Sequence, residues 1–132
     1  MKEYIYEPIH TVVQEWDEGR VLIFLTETGQ TFGQSQAQAF WLRDQLRSIA
    51  ERVKKKLRVI VDLGTLDQTL LTDDLRHLYR DMMTDGCTEK IALVGDTFLF
   101  GRVLSILTLL AKPRQKVKYF FKINDAKDWL EW

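Results

Sequence analysis

Leu57-Arg58-Val59-Ile60-Val61-Asp62-Leu63 is a nearly unbroken apolar run, preceded by the basic stretch Lys54-Lys55-Lys56 and followed by polar residues. Seven residues are too few for a buried helix. β-branched residues filling both alternating sets of positions mark a strand covered on its two faces. A strand of that kind needs helices packed against it, and the flanking sequence supplies them. Upstream, Leu42, Leu46, Ile49 and Val53 are spaced four, three and four apart. Downstream, Leu71, Leu75, Leu78 and Met82 repeat that spacing. Each set is the buried stripe of one helix.

The remaining segments extend this pattern. Ile9 to Trp16 and Val21 to Thr26 are rich in β-branched and aromatic residues, and Asp17-Glu18-Gly19-Arg20 between them reads as the turn of a hairpin. Ser35 is the expected N-cap of the first helix. That helix ends in Lys54-Lys55-Lys56, cations suited to its negative end. Thr72 is the expected cap of the second helix, and Gly86 its left-handed terminator. Ile91 to Val94 is a short strand, and Gly95-Asp96-Thr97 turns into a third helix running to about Ala111, where Lys112-Pro113 stops it. Val117 to Phe121 is a last strand. Asn124 or Asp125 caps a short final helix through Trp129 and Leu130.

The expectation is one α/β domain over residues 1–132, in the order β-β-α-β-α-β-α-β-α. Its sheet of about five strands is mixed but mostly parallel, with an N-terminal antiparallel hairpin and four helices.

Composition narrows the function classes. Nineteen basic and nineteen acidic residues in 132 give a formal net charge of zero, against the basic excess of a nucleic-acid-coating protein. One cysteine, Cys87, excludes an internal disulfide, and two histidines, His10 and His77, make a zinc cage an unpromising reading. Met1 runs directly into Lys2-Glu3-Tyr4 with no apolar leader, so a cytoplasmic location is expected. The longest apolar stretch, Phe98 to Ala111, is interrupted by Arg102 and is too short to cross a bilayer. Ser35, Ser48 and Ser105 sit in no nucleophile elbow, and Cys87 lies away from the helix N-termini that would activate a thiol. A sheet wound in one direction also lacks the switch point at which open α/β sheets form cofactor crevices. The residues therefore suggest neither an enzyme nor a bound metal or cofactor.

Three segments together resemble a known family: Leu57 to Leu63 followed by a threonine-capped helix, Lys90-Ile91-Ala92-Leu93-Val94-Gly95-Asp96 opening an apolar helix, and Val117 to Leu130 closing the chain. They are similar to the SpoIIAA-like branch of the STAS (sulfate transporter and anti-sigma-factor antagonist) domains, over roughly residues 10 to 131. The resemblance implies sequentially ordered strands, helices mainly on one side, and a small cytoplasmic binding or regulatory domain without catalytic residues. Some relatives in that branch are compared to Sec14-type lipid carriers. The anti-sigma-factor antagonists carry a phosphorylatable serine in an Asp-Ser-Ser-Gly-like stretch. Here the stretch is Asp67-Gln68-Thr69-Leu70-Leu71-Thr72-Asp73-Asp74, with Thr72 as the one hydroxyl at a cap-like position. A phosphate there would meet free helix amides, but Asp73 and Asp74 would repel it.

Charge is more informative than motif. Residues 43–61 carry seven basic and two acidic groups, and residues 62–89 two and seven. Residues 90–122 carry seven and one. Parallel winding sends Asp62, Asp67, Asp73, Asp74, Asp96 and Asp125 to the carboxyl edge of the sheet. It sends Arg52, Lys54, Lys55, Lys56, Lys112, Arg114 and Lys116 to the opposite edge. Either these charges only complement helix ends, or the basic edge docks on an anionic surface, phospholipid or an acidic protein.

The candidate binding residues are accordingly Thr72, Asp73, Asp96 and Thr97 at one edge, with Lys54, Lys55, Lys56, Arg114 and Lys116 at the other. The third helix, apolar around most of its circumference, is either a central core helix, a homodimer interface or the wall of an acyl-chain pocket. The aromatic residues are expected chiefly to fill the core of a small two-sided domain; the alternative is that in the pairs Phe40-Trp41 and Phe120-Phe121 one ring of each points away from it. Aromatic side chains so exposed mark partner surfaces. The leading expectation is a protein-interaction module that works as a regulator or scaffold, with a lipid-binding domain or an antagonist-like switch as alternatives.

Overall fold

A computed structural model describes residues 1–7, 11–25, 32–64, 77, 79–82, 85–107 and 116–132. Six strands form one mixed sheet in strict sequence order: β1 (Lys2–Tyr6), β2 (Thr11–Glu15), β3 (Arg20–Phe24), β4 (Leu57–Asp62), β5 (Thr88–Val94) and β6 (Val117–Phe120). β1 to β3 pair antiparallel, and β3 to β6 pair parallel. The helices are α1 (Phe32–Val53), α2 (which includes 79–82), α3 (Thr97–Leu107) and α4 (Ile123–Leu130). The sequential α/β order is as expected, with β1 as an additional edge strand.

The period-2 pattern sorts the strands cleanly between two cores. Val21, Ile23, Leu57, Val59, Ile91, Leu93 and Val117 face a core closed by Leu42, Leu46 and Ile49 of α1 and by Leu99 and Val103 of α3. Leu22, Ile60, Ala92 and Val94 face the other side, where Ala126 and Leu130 of α4 cover them. α4 thus lies on the face opposite α1 and α3, and the two-sided burial of β4 is accounted for.

Several local expectations are corrected. Ser35 does not cap α1, which begins three residues earlier. It is fully buried and belongs to the packed stripe with Gln38, Ala39 and Leu42, whose Gln38 amide donates to the Thr11 hydroxyl. A small polar residue on a buried helix face carries the same sequence signal as a cap. Gly86 is not left-handed. Instead Asp85 organises the turn, its side chain accepting from the Cys87 amide (3.3 Å) and its carbonyl from the Thr88 hydroxyl (3.2 Å). Neither Asn124 nor Asp125 caps α4. The helix starts at Ile123, which packs into the second core, with Lys122 in the extended cap position.

The hairpin turn between β2 and β3 does place Gly19 at positive φ (74°), preceded by Glu18 at 61°. Lys54 occupies the left-handed position just beyond α1 (φ 56°), its amide bonded to Ala50 O at 2.9 Å.

Candidate functional site

The parallel winding delivers the described charges to the two edges of the sheet as the topology requires. Asp62 ends β4, and Asp96 and Asp125 follow β5 and β6, whereas Lys54, Lys55 and Lys56 precede β4 and Lys116 precedes β6. Thr72, Asp73 and Arg114 lie outside the described residues, as do Asp67, Asp74 and Lys112.

The basic edge is not purely basic. Glu15, at the end of β2, is buried beneath Arg52 of α1, which grips its carboxylate with both terminal nitrogens. Nη1 to Oε2 is 2.8 Å, and Nη2 donates to Oε1. The Tyr4 hydroxyl adds a third donor at 3.0 Å. The Arg52 hydrogen bonds hold the Glu15 carboxyl below its ordinary range against the opposing effect of burial, with help from Tyr4. A second acid, Asp85, accepts from Arg47 Nε at 2.7 Å. Burial alone would raise the Asp85 carboxyl, but Arg47, the Cys87 amide and Lys116 together hold it low. Two of this edge's arginines are therefore committed to buried or half-buried acids.

Lys116 is likewise structural. Its ammonium donates to Asp85 O at 2.7 Å, and burial lowers its pKa. What remains of the described candidate cations is Lys54, Lys55 and Lys56, all exposed. They line an open groove of about 470 Å³ with Arg47, Glu51 and Cys87. Burial, reinforced by the Asp85 charge, pushes the half-buried Cys87 thiol up, keeping it in the unreactive protonated form.

A pH dependence follows from Glu15. Its pKa is lowered by folding, so its contribution is present above the unfolded value, about 4.3, and is lost as pH falls through the folded value. The melting temperature is expected to drop as pH falls below about 4, and Glu15→Gln should flatten that acid limb. Equal acid slopes in the two proteins would refute the buried pair.

At the carboxyl edge, Asp96 is a helix cap. Its Oδ1 accepts the Leu99 amide at 2.9 Å, and its carbonyl accepts the Tyr119 hydroxyl at 2.8 Å. Thr97 is exposed at the start of α3. Asp62 accepts the Gly64 amide at 3.0 Å. Among the described residues, no three His, Cys, Asp or Glu side chains converge to hold a metal ion. His77 is exposed on α2.

The feature that residue-by-residue reading missed is aromatic. Phe100 on α3 packs edge-on against Tyr119 (ring centroids 5.1 Å) and Phe121 (5.9 Å), and those two rings meet at 5.6 Å. The trio borders β6, the last strand of the sheet. Phe100 is 36% exposed, Leu104 one turn on is 44% exposed, and Phe121 is 56% exposed. Among its described side chains α3 therefore buries Leu99 and Val103 and leaves an apolar flank of Phe100 and Leu104 partly open. The outward members of the two aromatic pairs are Phe40 and Phe121. Recognising the patch from sequence needed knowledge that β6 is an edge.

No helix among the described residues is long and apolar enough to cross a membrane. In comparisons with known proteins the chain matches no protein-family model, no curated protein and no solved structure.

Proposed function

We propose that this chain is a non-catalytic protein-interaction module of the SpoIIAA-like STAS type, acting as a regulator or scaffold. One observation carries the reading: Phe100, Leu104, Tyr119 and Phe121 gather into an apolar surface at the β6 edge of the sheet. Large aromatic side chains left partly in water at one place mark a binding surface, because covering them recovers hydrophobic free energy. The sequential β/α winding and the closing α4 support the family assignment.

A second reading is favoured by Lys54, Lys55 and Lys56, three consecutive exposed cations beside a groove lined chiefly by charged residues. That lining suits an anionic headgroup or acidic surface better than an acyl chain. With Arg52 and Arg47 already paired, the available positive charge around the groove is confined, among the described residues, to these lysines.

One experiment separates the readings. A photo-crosslinking phenylalanine analogue is placed at Phe121, at Lys55, or at the exposed Ala37 of α1 as reference, in cells that express the chain natively. Protein adducts are expected at position 121, above the reference and abolished by Phe100→Asp. Adducts with phospholipid confined to position 55 would instead favour the anionic surface. Equal adduct yields at positions 121 and 37 would remove the interaction reading.

A further inference from the structure

Resting on the interaction reading, we infer that β6 accepts an extended segment of a partner protein as a seventh strand, and that this segment alternates apolar and acidic residues. Among the described residues β6 pairs with β5 alone. The Phe120 carbonyl accepts the Gly95 amide at 3.1 Å, so the parallel pattern turns the backbone groups of Lys118 and Phe120 toward β5. Those of Val117 and Tyr119 then point away from β5, where no strand among the described residues takes them up, as donors and acceptors for one more strand.

The two faces of that edge differ in chemistry. On the α3 side stand Tyr119 and Phe121 with Phe100 and Leu104. Alternation puts Lys118 and Lys122 on the other side. Both are exposed, and the Lys118 ammonium lies 5.4 Å over the Phe120 ring. The nearest carboxylates by sequence stand at helix N-termini, Asp96 capping α3 and Asp125 in the first turn of α4. A guest strand therefore meets Tyr119 and Phe121 on one face, and on the other the ammonium groups of Lys118 and Lys122 with the half-buried Phe120 between them. Alternating apolar and acidic residues satisfy both.

The same charges argue against a second copy of the chain as the guest. Two β6 strands laid edge to edge antiparallel would bring Lys118 and Lys122 of both copies to a common face, and like charges across a strand pair are unfavourable.

The test uses the full chain and two fluorescein-labelled peptides, one alternating valine with glutamate and the other alternating valine with lysine. Anisotropy titration should show saturable binding of the valine–glutamate peptide, about tenfold or more tighter than its lysine counterpart, a preference that weakens with salt. Lys118→Glu should reverse the order of the two peptides. Phe121→Asp, at an exposed position, should weaken both. Binding should also slow amide hydrogen exchange at Val117 and Tyr119. Equal affinities for the two peptides, unchanged exchange at those amides, or concentration-dependent dimerisation through β6 would each overturn strand addition. Protein adducts at position 121 without a preference for the acidic peptide would end this inference while leaving the interaction module standing. Loss of those adducts as well would end both.

Discussion

Replacing Leu130 with alanine is expected to lower stability by about 2–5 kcal/mol, the range for large-to-small changes at fully buried sites. Leu130 is 1% exposed and stands with Ala126 against Leu22, Ile60, Ala92 and Val94 on the face of the sheet opposite α1 and α3. It is also near the end of the helix that closes this second core. Arg58 Nη1 donates to the carbonyls of Leu130 (2.9 Å) and Glu131 (3.1 Å), satisfying acceptors left over at the end of α4. Lys90 adds a contact to the Trp129 carbonyl (3.4 Å), with its ammonium 4.9 Å over the Trp129 ring. Truncating Leu130 leaves a cavity at the point where sheet, helix and cap meet. Urea unfolding should show a reduced midpoint with an unchanged slope, together with a melting temperature lower by roughly 10 °C. The internal control is Leu104→Ala on the outer flank of α3, where 44% exposure predicts a change within about 0.5 kcal/mol. A cost below about 1 kcal/mol at Leu130 would mean that α4 does not seal this face. A cost at Leu104 matching that at Leu130 would mean that the proposed binding surface is already covered.

These two leucines also show what the sequence could and could not convey. The continuous apolar character of β4 required cover on both faces, and Leu42, Leu46 and Ile49 identified one of the covering helices. Which face each helix takes was not legible, because a right-handed crossover fixes it only once the strand it returns to is known. β1 was missed because an edge strand buries little. Lys2, Glu3 and Ile5 are exposed, and only Tyr4 and Tyr6 lean inward, Tyr6 against Trp41 with ring centroids 5.2 Å apart. The basic rim was legible as a net of charges along the chain, but its neutralisation was not. Glu15 and Arg52 are 37 positions apart, and Arg47 and Asp85 are 38 apart. Ion pairs formed across the fold leave no local trace. The apolar flank of α3 was visible in composition, whereas its exposure depends on β6 being the last strand of the sheet.

Gly95→Ala is expected to destabilise the protein by about 1–3 kcal/mol through overcrowding, and to deform the aromatic surface in the same step. Gly95 sits between β5 and α3 with its amide bonded to the Phe120 carbonyl, so its backbone is pinned to β6. A methyl group there collides with the Tyr119 hydroxyl and comes within 3.3 Å of both Tyr119 Cζ and Leu99 Cδ1. The tyrosine has a reason to be that close. Its hydroxyl donates to Asp96 O at 2.8 Å, tying β6 to the start of α3, and its ring packs against Phe100 and Phe121. Burial, with the Asp96 charge adding to it, pushes the Tyr119 phenol up to about 12, so it remains a neutral donor across the working pH range. The alanine methyl must therefore either break that hydrogen bond or tilt the ring into its aromatic neighbours. A double-mutant cycle distinguishes this collision from a general loss of backbone freedom. Tyr119→Phe alone gives up one hydrogen bond, about 0.5–1.5 kcal/mol. Because it also removes the colliding oxygen, adding it to Gly95→Ala should cost less than the sum of the two single changes, by about 1 kcal/mol. The remaining approach to Leu99 keeps the recovery incomplete. Strict additivity would show that the hydroxyl is not what makes glycine necessary at position 95. It would also remove the geometric link between the turn after β5 and the shape of the surface formed by Phe100, Tyr119 and Phe121.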